Sequence, residues 1–221
     1  MFNTASIINV HFLNMKEELD ALVEGGTRFF HIDLMDGHYV PNLCLPIKLL
    51  AELKEAYPQV NMDVHMMVTN PSDYIRRLKE AGADYVSFHT DSTPFVRRTI
   101  NEIRAAGMKP GIVINPSQCI DHIRPFVEYV DMVTLMAVEP GFAGQPLLEG
   151  SMDRLREICA LREQMGCRFL LSVDGGIDYE KGRECKEMGV DAIVGTVHTI
   201  FGQPDGIKAA CMRFDREFGS I

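Results

Sequence analysis

Nowhere in this chain do cysteines form a C-x-x-C pair, do lysines and arginines cluster, or does an apolar run reach membrane-spanning length. Each absence removes a class of function. The six cysteines (Cys44, Cys119, Cys159, Cys167, Cys185, Cys211) show no paired metal spacing and read as the incidental thiols of a cytosolic protein. The opening stretch MFNTASIINVHFLN lacks a basic segment followed by a long apolar one, so no signal peptide is expected and the cytoplasm is the expected location. Without a span of sufficient length, no membrane partner is expected. Asp and Glu outnumber Lys and Arg by 31 to 22, a formal net charge of −9, which argues against a nucleic-acid partner. Such a chain can still hold a small anion through backbone N–H groups. No Ser/Pro-rich linker interrupts the 221 residues, so residues 1–221 are expected to form one domain.

What the sequence does contain is a steady alternation of strand and helix patterns. Apolar, β-branched runs predict strands at 6–10, 28–34, 60–68, 85–88, 111–114, 132–137, 169–173 and 192–194. Helical spacing predicts helices at 15–26, 71–83 and 153–166. Gly26, Gly82, Gly107, Gly166 and Gly189 stand where a helix should end and a strand begin, as expected of C-caps. The endings Ala81–Asp84 and Met188–Asp191 repeat one helix-to-strand turn. Eight such units with short connections favour an α/β fold, a single closed (β/α)₈ TIM barrel, over an open doubly wound sheet. In a barrel the chemistry belongs at the C-terminal ends of the strands.

The second strand offers His31, Asp33 and Met35 at spacing two, hence on one face, and the third offers Asp63, His65 and Met67 likewise. The seventh ends in Asp174 followed by Gly175 and Gly176. Taken singly, a strand histidine is a hydrogen-bonded core residue and an Asp before Gly-Gly a turn residue. Taken together at the strand ends, two imidazoles and up to three carboxylates converge, enough to hold a divalent ion such as zinc, manganese or iron(II) with positions open for substrate. Met35, Met67 and Met136 take corresponding rim positions, although core packing suffices to explain any one of the 13 methionines. The loop EPGFAGQ (139–145) follows strand six. Gly175–Gly176 and Gly195–Thr196 follow strands seven and eight, where barrels bind phosphate on backbone amides.

The stretches HIDLMDGHYVPN, DVHMMV, MAVEPGFAGQ and VDGG, in this order, resemble the ribulose-phosphate 3-epimerase family, including its allulose-6-phosphate 3-epimerase branch. The resemblance runs from Ser6 to about Phe201. It implies a phosphorylated ketose substrate and proton transfer at C3 through an enediolate, with D-ribulose 5-phosphate to D-xylulose 5-phosphate the expected reaction. D-allulose 6-phosphate to D-fructose 6-phosphate is the alternative. It also implies one divalent ion per chain (zinc, iron(II), manganese or cobalt) on His31, Asp33, His65 and Asp174, and acid/base roles for Asp33 and Asp174. Substrate contacts fall on Ser6, His65, Met35, Met67, Met136 and the loop Gly141, Phe142, Ala143 and Gly144. Phosphate-binding amides fall on Gly175, Gly176, Gly195 and Thr196, and a homo-oligomer is the expected state.

Three departures stand out. His11 replaces the family's usual Asp, Ala143 replaces a common Gly beside Glu139-Pro, and GTVHTIF (195–201) is one residue longer than the usual turn, bringing His198 toward the phosphate end. The F-A-G-Q-P form and the G-T turn lean toward the hexulose branch. Two rival readings are weaker. A phosphate-binding decarboxylase or aldol-lyase needs D-x-K-x-x-D, but Asp33-Leu-Met-Asp36 has no lysine. A non-catalytic sugar-phosphate binder should have lost an acid/base carboxylate, and both are present.

Overall fold

A computed structural model describes residues Met1–Gly219. Eight parallel strands close into a barrel in sequence order, with β1 returning to pair with β8. They are β1 (Phe2–Ser6), β2 (Phe29–Met35), β3 (Asn61–Met67), β4 (Tyr85–His89), β5 (Lys109–Ile114), β6 (Met132–Met136), β7 (Leu170–Asp174) and β8 (Ala192–Gly195). Seven α-helices surround them among the described residues: α1 (Met15–Glu24), α2 (Ile47–Ala56), α3 (Ile75–Glu80), α4 (Val96–Ala105), α5 (Ser151–Gln164), α6 (Tyr179–Met188) and α7 (Ile207–Phe218). Between β5 and β6 two 3₁₀ turns (Ile120–His122 and Val127–Tyr129) replace a helix. No helix among the described residues is long and apolar enough to cross a membrane.

The strands alternate with period two, and the two faces carry opposite chemistry. Outward residues such as Phe30, Ile32, Val64, Met66, Phe88, Ile112, Leu135 and Leu171 are buried in one continuous apolar layer with the helices. Inward residues are polar to an unusual degree: Thr4, His31, Asp63, Ser87, Thr134 and Ser172 are all buried. Strand-end aspartates tie the layers together. Asp84 Oδ2 accepts from Met62 N and Lys54 Nζ, and Asp191 Oδ2 accepts from Leu171 N and Arg162 Nη1. The repeated helix-to-strand turn of the sequence is thus a repeated bond pattern. The chain ends also meet, the Met1 ammonium donating to the Phe218 carbonyl at 3.0 Å across 217 residues.

All five predicted cap glycines adopt positive φ, from +64° to +95°. Two elements differ from the sequence pattern by more than two residues. The first strand is Phe2–Ser6 rather than 6–10, because closure pairs Phe2–Ala5 with Ala192–Gly195, and Ile7–Asn9 turn away as a 3₁₀ turn that buries Ile7. The segment 71–83 is a 3₁₀ turn, Pro71–Asp73, followed by the short α3, the chain entering through a left-handed Asn70 at φ 53°.

Gly111 marks where the polar interior is tightest. A Cβ added there would stand 2.1 Å from Ser87 Oγ and 3.3 Å from Met132 Cβ. Gly111→Ala should therefore lower the unfolding free energy by about 1–3 kcal/mol through overpacking. Urea denaturation measures it, and an unchanged midpoint would mean that Ser87 moves aside freely.

Candidate metal centre and active site

Register decides what meets at the barrel mouth. β2 and β3 pair so that His31 lies opposite Asp63, Asp33 opposite His65, and Met35 opposite Met67, three successive inward rows rising to the rim. Across the barrel, Met136 pairs with Asp174. Ser6, ending β1, donates to Asp33 Oδ2 at 2.9 Å. One strand register slipped by a residue would turn the whole set outward.

Four side-chain atoms converge: His31 Nε2, Asp33 Oδ1, His65 Nδ1 and Asp174 Oδ2. Asp33 Oδ1 lies 3.4 Å from each imidazole nitrogen, and Asp174 Oδ2 lies 3.8 Å from that of His31 and 3.5 Å from that of His65. All four ligand atoms fall within 4.8 Å of one another. His31 Nε2 and His65 Nδ1 are buried without a hydrogen-bond partner. Four ligands about 2.1 Å from a shared centre in tetrahedral array stand about 3.4 Å apart, close to the spacing found here. The donor set, the spacing and the two orphaned nitrogens suit a divalent metal ion.

The electrostatics agree. Burial opposes charge on His31, yet the carboxylates of Asp33 and Asp63 outweigh it and raise its pKa well above the ordinary value. His65 is raised too, against burial, by Asp174 and Asp33. Burial would raise Asp33, but His31 and His65 hold it low. A dry site that pulls protons onto its imidazoles has surplus negative charge, which a cation can neutralise in their place.

A further layer of side chains backs the imidazoles. His31 Nδ1 is 2.8 Å from Asp63 Oδ2, so Asp63 supports His31 from behind rather than joining the four. His65 Nε2 is 2.8 Å from Nε2 of His89, a fully buried residue at the end of β4. Burial, and then the neighbouring His65, push the His89 pKa well below its ordinary value. The sequence pattern ends strand four at Phe88, one residue short of His89. A third histidine on a third adjacent strand was the available signal.

Above the cluster lies an open cavity. Of the residues the sequence singles out, Ser6, Asp33, Met35, Met67, Met136, Gly141, Phe142, Ala143, Gly144, Asp174, Gly175, Gly176 and Thr196 line it. His31 and His65 sit beneath, and Gly195 lies behind Thr196 within β8, outside the lining. Asn9, Glu139 and Gln145 also line the cavity, which includes no lysine or arginine. The loop after β6 is pinned in place: Asn42 Nδ2 donates to the Gly141 carbonyl at 2.7 Å, and Gln145 Nε2 donates to the carbonyls of Glu139 and Phe142. Gly175 and Gly176 have φ of +106° and +65°, and a Cβ on either would strike Val138 or the Leu147 backbone. The turn after β8 forms a π-turn, Val197–Phe201, and the carbonyl of Thr196 just before it accepts from the amides of Thr199, Ile200 and Phe201. His198 stands in that turn, outside the cavity lining.

A closed (β/α)₈ barrel with a buried two-histidine, two-carboxylate cluster beneath a cavity defines a metal-dependent barrel enzyme. The sequence matches the model of the ribulose-phosphate 3 epimerase family over residues 3–201. It is 35% identical to a ribulose-phosphate 3-epimerase of Aquifex aeolicus (strain VF5) over 86% of this chain and 84% of that one. It is 34% identical to that of Bacillus subtilis (strain 168) over 92% and 94%. The chain belongs to the ribulose-phosphate 3 epimerase family and is an epimerase, hence an isomerase. Among solved structures, 3-hexulose-6-phosphate synthase from Salmonella typhimurium superposes with a TM-score of 0.74 at 16% identity, covering 96% of this chain and 97% of that one. KGPDC from Streptococcus mutans gives 0.71 at 12%, covering 98% and 96%. These two likenesses bear on the fold alone.

Elemental analysis of the purified chain should find about one divalent ion per molecule. Asp63→Asn should weaken metal binding by about 10–100-fold, since a metal-bound imidazole depends on the acceptor behind it. Chelator competition measures this, and undiminished affinity would remove Asp63 from the support of His31.

Proposed function

We propose that this chain, folded as one barrel domain, interconverts D-ribulose 5-phosphate and D-xylulose 5-phosphate by two-carboxylate proton transfer at C3. The observation that carries the reading is the placing of Asp33 and Asp174. Both line one cavity, on strands separated by β1 and β8, and each sets one oxygen beside the same two imidazoles. One carboxylate takes the C3 proton from one face and the other returns a proton to the opposite face, with the roles exchanged in the reverse direction.

His31, Asp33, His65 and Asp174 would hold the divalent ion, which when bound supplies positive charge against the negative charge developing on the substrate oxygens. Ser6 fixes the orientation of Asp33 through its hydroxyl. Met35, Met67 and Met136 offer apolar walls that carry no exchangeable proton, and residues Gly141, Phe142, Ala143 and Gly144 cover the cavity and exclude water. With no basic side chain in the lining, the phosphate falls to backbone amides at Gly175, Gly176 and Thr196, with Gly195 shaping the strand behind them. Phe12, Leu13 and Leu43 are exposed on rim loops, which supports a homo-oligomer. All six cysteines are free, which supports a cytoplasmic location.

Assays on D-ribulose 5-phosphate and D-allulose 6-phosphate side by side test the substrate, and a higher kcat/KM on the hexulose phosphate would overturn the pentulose reading. Asp33→Asn and Asp174→Asn should each cut epimerisation by about 10²–10⁴-fold or more. In deuterated water, early product of the native enzyme should carry deuterium at C3. Product that keeps its original hydrogen would show a one-base mechanism instead.

A further inference from the structure

We infer that His89 is a positioning residue for the metal centre: it fixes which nitrogen of His65 carries the proton, and Asn115 fixes His89 in turn. The inference rests on His65 being a metal ligand. Two imidazole nitrogens 2.8 Å apart, His65 Nε2 and His89 Nε2, can share only one proton. If His65 Nδ1 is to face a cation among Asp33 and Asp174, that nitrogen must be bare, so the His65 proton sits on Nε2. His65 then donates and His89 Nε2 accepts, which puts the proton of a neutral His89 on Nδ1.

The surroundings of His89 meet that requirement. The Asn115 side chain lies beside it. Asn115 Nδ2 is already committed, donating to Tyr39 Oη at 2.5 Å and Asp91 Oδ2 at 3.0 Å. Tyr39 Oη donates to Asp91 Oδ1 at 2.7 Å, so Asp91 anchors both donors. This anchoring leaves Asn115 Oδ1 as a buried acceptor with no hydrogen-bond partner, and His89 Nδ1 is likewise buried with none, so the two unpaired atoms suit each other as acceptor and donor. Ring contacts hold the relay flat. The His65 and His89 rings meet edge to edge, 5.0 Å between centroids with planes 27° apart, and Tyr39 packs against His89 at 4.7 Å.

The two histidines of the metal centre are therefore supported differently. His31 is backed by a carboxylate, Asp63, whereas His65 is backed by a neutral ring. A second carboxylate behind His65 would add negative charge to a site that already holds three. A neutral acceptor sets the tautomer without that addition.

His89→Phe keeps the ring and removes the acceptor, and His89→Gln restores an acceptor in a non-aromatic side chain. In chelator competition with zinc, the Phe variant should bind about 10–100-fold more weakly than native protein, and the Gln variant should recover most of the loss. Circular dichroism of the metal-free proteins checks that both are folded. A folded Phe variant with native zinc affinity would overturn the assignment. Nitrogen NMR of the native zinc-loaded chain decides the matter without any variant: the expected result is a His65 proton on Nε2 with scalar coupling to His89 Nε2. A His65 proton on Nδ1 would overturn the relay. His65→Ala separates the two levels, because zinc retained there removes His65 as a ligand. Zinc lost there but unaffected in the folded Phe variant refutes the His89 role alone.

Discussion

Everything at the mouth of this barrel depends on concentrated negative charge kept away from water. Asp33, Asp63 and Asp174 crowd around two imidazoles, and all five residues are buried or nearly so. Such a group is costly unless paired or bound to a cation. The barrel spreads that cost over its own architecture. The outward strand faces and the helices supply the apolar core, which leaves the interior free to be polar. Hydroxyls at Thr4, Ser87, Thr134 and Ser172 occupy the layer where bulky aliphatic side chains fill other barrels. Stability and chemistry are thus assigned to opposite faces of the same strands.

The same concentration of charge shapes how a phosphorylated substrate can be received. A cavity lined by Asp33, Glu139 and Asp174, with no lysine or arginine, repels a dianion at long range. On the proposed reading, attraction would come from close contact, from a cation held at the floor and from backbone N–H groups at the far wall. The positive-φ glycines after β7 suit that division. At Gly176 a side chain would collide with the Leu147 backbone, so the close approach of the two loops is itself part of the wall.

The strands whose pattern is local were legible in the sequence, and those fixed by distant partners were not. RFFHIDLM and NMDVHMMV alternate for a full strand length, so His31, Asp33, His65 and their shared face follow from period two alone. The first strand, FNTAS, is short and polar, and its position is set by pairing with β8 at the other end of the chain. The more β-like IINV drew the pattern four residues too far along. Alternation also says which face a residue occupies but not how deep its side chain reaches. Asp63 shares a face with His65, yet it sits one row lower and touches His31 instead. His89 lay just past an apolar run, where hydrophobic patterning loses its grip. The Asn115–Asp91–Tyr39 contacts behind it join three loops that no local signal connects.

The meeting of the chain ends has a consequence for how this molecule comes into being. β1 can form one of its two ladders as soon as β2 exists, but the other must wait for β8, nearly the whole length of the polypeptide later. Three of the four converging side chains, His31, Asp33 and His65, lie on two successive strands, whereas Asp174 follows more than 100 residues later. A nascent chain therefore carries an open edge and an incomplete cluster of buried carboxylates for most of its synthesis. Closure is a non-local step of the kind that makes folding slow and exposes strand edges to aggregation. The bond from the Met1 ammonium to the Phe218 carbonyl then ties the start of β1 to α7, the helix that follows β8.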